Sequence, residues 1–173
     1  MLLPIETPRL NLRPLTEADA PFIRELLNDA AWLAYIGDKS VHTLEDAGRY
    51  LREGPLAMYA ALGIGLCAME LKQPVLRAVG LCGLLIREGS PDVELGYALL
   101  PEARTQGLVR EAARAWIEFG ERQLKLREIH AWTHADNGAS RAVLEELDFE
   151  LLPQQQGEDP ATARRHWRLA FSA

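Results

Sequence analysis

The fold of this chain is constrained most by one stretch, Val93 to Glu111, in which an apolar segment leads through a short loop into a helical pattern. The segment Val93–Leu100 is predicted to be a strand, and it ends at Pro101 because proline has no N–H group to donate to the next position of a sheet. A loop, Glu102–Gln106, follows, and a long amphipathic helix is predicted to begin at about Gly107. The local structure is therefore a strand, a tight loop and a helix N-terminus.

The predicted helix carries its apolar side chains at helical spacing, with charged residues mostly on the other side. Its apolar positions are Val109, Ala112, Ala113, Trp116, Phe119 and Leu124. The N-terminus of such a helix presents unpaired N–H groups and the positive end of the helix dipole, which suit a phosphate or diphosphate. Gly107 would let the backbone approach that group and Arg104 would add positive charge, although one glycine also fits a helix that merely follows a strand.

Length and composition fit a single globular domain over residues 1–173. The chain has 173 residues, of which 48% are hydrophobic, enough for a proper core. The apolar runs stop well short of the ~18 residues that a membrane helix needs. The first residues lack the basic region and apolar core of a signal peptide, so we expect a cytoplasmic protein. The formal net charge of −6 argues against general nucleic-acid binding.

The cysteines and histidines do not predict a metal site. Cys67 and Cys82 lie in apolar segments without metal-ligand spacing, and we expect buried free thiols. His130 and His134 share one face of a predicted strand, but no third ligand is spaced to complete a site. We therefore expect no bound metal.

The remaining elements alternate between strands and amphipathic helices. Strands are predicted over Arg9–Leu15, Gly65–Leu71, Ala78–Ile86, Val93–Leu100, Arg127–His134, Phe149–Leu152 and His166–Phe171. Helices are predicted after Thr16, over Ala30–Ile36, from Thr43 to Gly54-Pro55, after Gly107 and after Asn137. The Val93 and Arg127 strands should be parallel, because a helix of about 18 residues connects them. This order predicts one mixed α/β domain.

Several motifs, in order along the chain, resemble one enzyme superfamily. The loop Arg104-Thr105-Gln106-Gly107-Leu108-Val109 resembles a pattern of Arg or Gln, two residues, Gly, one residue and Gly or Ala. It departs from the pattern at Val109, and Thr105 stands where the loop usually carries a glycine. The other matching segments are Glu6-Thr7-Pro8-Arg9-Leu10, Leu12-Arg13-Pro14, Gly80 to Gly83, Leu95-Gly96-Tyr97, Glu111-Ala112, Asp136-Asn137-Gly138-Ala139-Ser140 and Leu144 to Phe149, where Asp148 replaces the usual glycine. Together they resemble the RimJ/RimL-type branch of the GNAT N-acetyltransferases.

The resemblance implies a GNAT fold, with a central twisted, mostly antiparallel sheet, a splayed parallel strand pair and helices on both faces. The central strand is implied to carry a bulge and to separate from the strand that follows the long helix. Acetyl-CoA is implied as the acyl donor, with its pantetheine arm in that gap and its diphosphate on the loop. The implied cofactor-binding residues are Leu99, Leu100, Arg104, Thr105, Gln106, Gly107, Leu108, Val109, Arg110, Asn137 and Ser140.

The implied reaction is direct transfer of an acetyl group to a primary amine, either a protein N-terminus or a small-molecule amine. The amine must be neutral to attack, so a base is useful. Glu94, on the central strand, is the candidate base, although it also fits a salt-bridged strand residue. Ser140 is the candidate that protonates the departing thiolate or bonds the cofactor, and it also fits a helix hydroxyl. Asn137 fits both a cofactor contact and a helix N-cap.

The acceptor side carries fewer sequence signals. Trp32, Tyr35 and Tyr97 fit either an acceptor pocket or the core, and His134 is a further candidate contact. The predicted acceptor loops are Trp32–Val41 and Pro153–Ala163.

The sequence also bears on two other classes of function, a CoA-binding module and a dinucleotide-binding fold, and on the oligomeric state. A CoA-binding module without transferase activity is favoured by Val109 and Thr105. A dinucleotide-binding fold is disfavoured because no Gly-x-Gly-x-x-Gly follows the first strand. The resemblance also implies a possible homodimer.

Overall fold

In the computed structural model, residues 4–87, 89–153 and 164–172 are described. Within these ranges one eight-stranded sheet is flanked by α-helices on both faces. The strands are β1 (Ile5–Glu6), β2 (Leu10–Pro14), β3 (Gly65–Leu71), β4 (Arg77–Ile86), β5 (Val93–Leu99), β6 (Glu128–His134), β7 (Glu150–Leu151) and β8 (Arg164–Ala170). The helices are α1 (Ala20–Leu27), α2 (Ala30–Tyr35), α3 (Leu44–Leu51), α4 (Ala57–Leu62), α5 (Leu108–Arg122) and α6 (Gly138–Glu146).

The sheet has the strand order β1-β2-β3-β4-β5-β6-β8-β7, and all neighbours are antiparallel except β5 and β6. This parallel pair confirms the prediction, because α5 carries the chain from one strand to the start of the next. In the described ranges β5 and β6 are paired only at Glu94 and His130, near the start of each strand. Beyond that point no β5–β6 pairing is present among the described residues, so the two strands separate.

Two hydrophobic clusters hold the helices against opposite faces of the sheet. Trp116 of α5 and Leu144 of α6 are buried in one cluster. Ile23 of α1 and Leu51 of α3 are buried in the other, together with Leu81 of β4. Each fully buried side chain of this size contributes about 1.5–3 kcal/mol to folding. The predicted arrangement of helices on both faces is therefore confirmed.

The alternation along β5 decides which side chains reach which face. Leu95, Tyr97 and Leu99 pack into the cluster that contains α5 and α6, whereas Ala98 packs into the cluster that contains α1 to α3. Because side chains alternate along a strand, Glu94 shares the face of Ala98. Its carboxylate is thus directed to the side of the sheet that carries α1 to α4.

The helix predicted to stop near Gly54-Pro55 instead continues. Arg52–Leu56 forms one wide π-helical turn with Pro55 buried inside it, and the chain then runs on into α4. Proline lacks an N–H group and clashes with the preceding turn of an α-helix, and widening the helix accommodates this. The Gly54-Pro55 pair predicts the end of a helix and does not predict this π-helical turn.

Two further details of the sheet differ from the sequence prediction. The short strand β1 was not predicted, and it pairs with β2 through Ile5 and Leu12. The irregularity lies in the β3–β4 ladder, where Val79 of β4 has no partner opposite the step from Met69 to Glu70, while β5 pairs with β4 in continuous register. The bulge that the resemblance placed in the central strand is therefore absent from the β4–β5 ladder, and the gap next to β5 arises from strand divergence alone.

The two cysteines behave as predicted. Cys67 of β3 and Cys82 of β4 are register partners, both are buried and both are free thiols. Burial raises the pKa of the Cys67 thiol to about 12, so it stays protonated and unreactive. In the described part of the chain, no helix combines the length and hydropathy needed to cross a membrane.

Candidate active site

A cleft of about 830 Å³ opens where β5 and β6 separate. The N-termini of α5 and α6 and the helix α2 all contribute to its lining. The predicted site residues that line the cleft are Glu94, Leu99, Arg104, Thr105, Gly107, Leu108, Val109, Arg110, Asn137 and Ser140. Leu100 and Gln106 were also predicted, but they lie outside the lining. Most of the predicted set thus converges on one cavity.

The N-terminus of α5 has the geometry of an anion site. Gly107 is its N-cap residue, with a left-handed backbone at φ 73°, and no side chain caps the N–H groups of the first turn. These groups and the helix dipole favour a negatively charged partner. Thr105 also has a left-handed backbone, with φ 62°, which explains why a glycine is the usual residue there.

Arg104, predicted to add positive charge to the loop, also contacts residues outside it. Its guanidinium forms an ion pair with the Asp29 carboxylate and donates to the Leu99 carbonyl, with Nη2 to O at 3.0 Å. Asp29 is the N-cap of α2 and also accepts from the backbone N–H of Ala31 at 3.0 Å. Arg104 therefore ties the end of β5 to α2, a contact across 75 positions of sequence that local pattern cannot reveal.

The backbone groups at the end of β5 have protein partners. The Leu100 N–H donates to the Val79 carbonyl at 2.8 Å, and the Leu99 carbonyl accepts from Arg104. Leu100 is also fully buried. Of the two residues that the resemblance implies as cofactor contacts, Leu100 donates its N–H to β4, while Leu99 lies at the cleft wall.

A cluster that sequence analysis missed braces the α5 N-terminus. The Glu111 carboxylate accepts from the Thr7 hydroxyl at 2.6 Å and from Nε of Arg9 at 2.6 Å. Arg9 also donates to the Gln106 carbonyl at 2.8 Å. Burial opposes ionisation of Glu111, but the bonds from Thr7 and Arg9 outweigh it and hold its pKa below the ordinary value. Both segments had been noted as separate motifs, and the fold brings them together.

Replacing Glu111 with glutamine should lower the free energy of unfolding by about 1–2 kcal/mol at neutral pH. A carboxylate whose pKa is depressed in the folded protein stabilises it above the unfolded value of 4.5, and this contribution is lost as the pH falls through the folded pKa. Urea unfolding of both proteins at pH 7 and at about pH 3 should therefore show a difference that shrinks in acid.

Glu118→Gln is the matched control on the same helix. Glu118 is 60% exposed and pairs only with Arg122 among the described residues, whereas Glu111 is 16% exposed. The control should change stability by less than about 0.5 kcal/mol at either pH. A Glu111→Gln effect of equal size at both pH values would contradict the assigned role of its charge.

Glu94 is a buried carboxylate at the cleft wall. Its side chain is 4% exposed, and its Oε2 lies 2.6 Å from Nε of Arg87, whose side chain is 51% exposed. Both interpretations offered by the sequence are therefore compatible: Glu94 is salt-bridged, and it also lines the cavity beside the point where β5 leaves β6. A buried carboxylate that can reach a cavity is positioned to exchange a proton with a bound amine.

Helix α6 contacts β5 at its N-terminus and α5 at its C-terminus. The Asn137 side chain accepts from the Ser140 N–H at 3.0 Å as an N-cap, and the Tyr97 hydroxyl donates to the Ser140 carbonyl at 3.2 Å. Arg110 of α5 forms an ion pair with Glu146 at 2.6 Å. Burial raises the pKa of Tyr97, so its hydroxyl remains a protonated donor. These contacts fix the walls between which Asn137 and Ser140 face the cleft.

Part of the cleft lining is aromatic. Trp32, Tyr35, Tyr97 and His134 all line the cleft, and the rings of Tyr35 and His134 are 5.8 Å apart. His130 does not line it. The described residues include no group of three or more His, Cys, Asp or Glu side chains placed to hold a metal ion. The predicted acceptor loop Pro153–Ala163 lies, apart from Pro153, outside the described residues.

Comparison with known proteins agrees with this geometry. Residues 9–150 match the acetyltransferase (GNAT) domain family. The chain is 26% identical over 148 residues to an uncharacterized N-acetyltransferase, YoaA, of Bacillus subtilis strain 168, covering 84% of this chain and 82% of that protein.

Two solved structures are similar in fold. An acetyltransferase from Agrobacterium tumefaciens strain C58 has a TM-score of 0.83 and 24% identity, with 99% of this chain and 96% of that chain covered. RimL, a ribosomal L7/L12 α-N-protein acetyltransferase in complex with coenzyme A, has a TM-score of 0.82 and 18% identity, with 97% and 98% covered.

Proposed function

The chain belongs to the acetyltransferase (GNAT) domain family and is an N-acetyltransferase, and we propose that it transfers an acetyl group from acetyl-CoA directly to a primary amine in the cleft between β5 and β6. The observation that carries this proposal is the placement of a buried carboxylate and an uncapped helix N-terminus on one cavity. The first suits an amine and the second suits a diphosphate.

The residues at the α5 end fit a diphosphate. The N–H groups at Leu108, Val109 and Arg110 belong to the first turn of the helix, and Gly107 has no side chain to cover them. Arg9 holds the Gln106 carbonyl, so the loop is fixed before any ligand enters. Acetyl-CoA would supply the activated acyl group, and these residues would hold its charged end.

The reacting amine is proposed to meet Glu94. An alkyl amine is protonated at neutral pH, since its ordinary pKa is about 10.4 and that of a peptide N-terminus about 7.7–8. Glu94 removes the proton, directly or through a water molecule, and Arg87 stabilises its charged form. The neutral amine then attacks the carbonyl carbon and the carbon–sulfur bond breaks. The proton first taken by Glu94 is released to solvent. The nitrogen loses a second proton as it becomes an amide, and the thiolate takes up one proton.

Ser140 is proposed as the source of that proton or as a cofactor contact. Its residue lines the cleft, and its backbone is held by Asn137 and Tyr97. Asn137 uses its side-chain oxygen as a helix cap, which leaves its NH₂ group for a ligand. Because the two residues sit at the start of α6, they share the wall opposite β5.

The proposal is tested by thermal-shift measurements with acetyl-CoA, CoA and NAD, followed by mass spectrometry of an amine panel. We expect stabilisation by acetyl-CoA and CoA but not by NAD, and a mass increase of one acetyl group on an amine. Stabilisation by acetyl-CoA without transfer to any amine would favour a CoA-binding module instead. Stabilisation by NAD alone would overturn the assignment of the anion site.

A further inference from the structure

The charged residues that line the cleft are almost fully paired with one another. Three carboxylates belong to the lining, and each forms an ion pair with an arginine of the same lining. The pairs are Asp29 with Arg104, Glu94 with Arg87, and Glu146 with Arg110. The remaining charged residue of the described lining is Lys39, which is positive. Within the described ranges, the lining therefore offers no unpaired carboxylate to a ligand with several positive charges.

The same lining also carries large apolar and aromatic side chains. They include Tyr35, Ile36, Tyr50, Met58, Leu85 and Trp132. Tyr35 and Ile36 keep 39% and 40% of their surface exposed although both are large and apolar in body. Trp132 is fixed by stacking on His166, with ring centroids 4.1 Å apart and planes 6° apart. Covering apolar surface of this kind with a ligand is favourable, because it removes that surface from water.

From these two observations we infer that the acceptor is a monoamine with an aromatic or large aliphatic substituent, and not a polyamine or an aminoglycoside. This inference rests on the proposed function, because it assumes that the amine enters beside Glu94. One amine needs one carboxylate, and Glu94 supplies it. A second cationic group on the acceptor would lose its hydration beside Arg87 and Lys39 without gaining a partner.

A matched series of amines tests the inference. Propylamine and 2-phenylethylamine differ in the apolar group, whereas spermidine and kanamycin add positive charges. At fixed acetyl-CoA, kcat/KM for 2-phenylethylamine should exceed that of each of the other three by about tenfold or more. A peptide with N-terminal phenylalanine, compared with one that begins with serine, extends the same test to protein acceptors.

Tyr35→Ala shows whether the aromatic wall is responsible. Tyr35 lies on α2 and is partly exposed, so its loss should not unfold the domain. The variant should lose about tenfold in kcat/KM for 2-phenylethylamine while KM for acetyl-CoA is unchanged. Leu33→Ala is the control, because Leu33 is on the same helix and 41% exposed but does not line the cleft. It should affect neither parameter.

The outcomes separate this inference from the function on which it rests. Transfer to spermidine or kanamycin in preference to 2-phenylethylamine overturns the inference and leaves the acetyltransferase assignment intact. Absence of transfer to every aromatic monoamine overturns it as well. Absence of both acetyl-CoA binding and transfer to any amine overturns the proposed function together with the inference.

Discussion

Replacing Gly107 with valine is expected to weaken acetyl-CoA binding about 100-fold, which corresponds to about 2.8 kcal/mol. Gly107 precedes the first turn of α5 and has a left-handed backbone at φ 73°. A β-branched side chain there would both strain the loop and stand between the N–H groups and a diphosphate. Isothermal titration with acetyl-CoA measures the loss directly.

A substitution at a second glycine shows whether a fall in affinity comes from backbone strain or from blocked access to the N–H groups of α5. Gly63, at the end of α4, has nearly the same backbone with φ 69°, and it does not line the cleft. A Cβ atom on Gly63 would meet no other atom within 4 Å, so backbone strain is the main cost of a side chain there. Gly63→Val should therefore lose stability to a similar extent, about 1–2 kcal/mol, without losing affinity. Equal affinities for the Gly107→Val and wild-type proteins would show that the diphosphate binds elsewhere.

Thr105 offers the opposite change in the same loop. Thr105→Gly relieves a left-handed β-branched residue at φ 62°, and it removes a side chain that lines the cleft. Acetyl-CoA affinity should stay the same or increase. A fall in affinity would indicate that the Thr105 hydroxyl contributes a bond of its own to the ligand.

The sequence predicts those parts of the site that depend on residues close together in the chain. The strand, loop and helix from Val93 to Arg122 are encoded by a proline, a glycine and helical spacing, all of which act within a few residues. The left-handed backbone at Gly107 and the apolar face of α5 follow from that pattern. Their convergence on one cavity also agrees with the prediction.

The sequence is less informative where a residue is contacted by a distant one. Arg104 is predicted to add positive charge near Gly107, and the fold also places the Asp29 carboxylate within its reach. Leu100 is implied as a cofactor-binding residue, but its N–H donates to the Val79 carbonyl of the adjacent strand. Neither partner can be inferred from spacing, because both depend on how the sheet and α2 pack.

The cluster of Thr7, Arg9 and Glu111 is a second case in which a single sequence does not predict a contact between distant residues. Each residue belongs to a matching motif, and in the fold the Glu111 carboxylate contacts Thr7 and Arg9, more than 100 positions away. Family patterns of this kind encode tertiary contacts. A single sequence gives the residues but not the pairing.

Glu94→Gln is expected to lower kcat by about 10²–10³ at neutral pH and to remove the acidic limb of the pH–rate profile. Wild-type activity should fall in acid as the carboxylate takes up a proton, because a protonated Glu94 cannot accept one from the amine. The amide of glutamine cannot act as a base at any pH in this range. Steady-state kinetics from about pH 5 to 9, at saturating acetyl-CoA, measure both effects.

The substitution should leave the fold and the cofactor site intact. A glutamine has nearly the same shape, and its side-chain oxygen can still accept the 2.6 Å hydrogen bond that Arg87 now donates to Glu94. The thermal stability of Glu94→Gln and its affinity for acetyl-CoA should therefore be close to those of the wild type.

Arg87→Gln separates the base from its ion pair, because it keeps the carboxylate and removes the cation beside it. This variant should retain the acidic limb that Glu94→Gln loses, because the carboxylate that acts as the base is still present. Its maximal rate above that limb should stay close to the wild-type value. If Glu94→Gln kept the wild-type profile, proton removal would have to be assigned to another group, and His134, which also lines the cleft, would be the next residue to test.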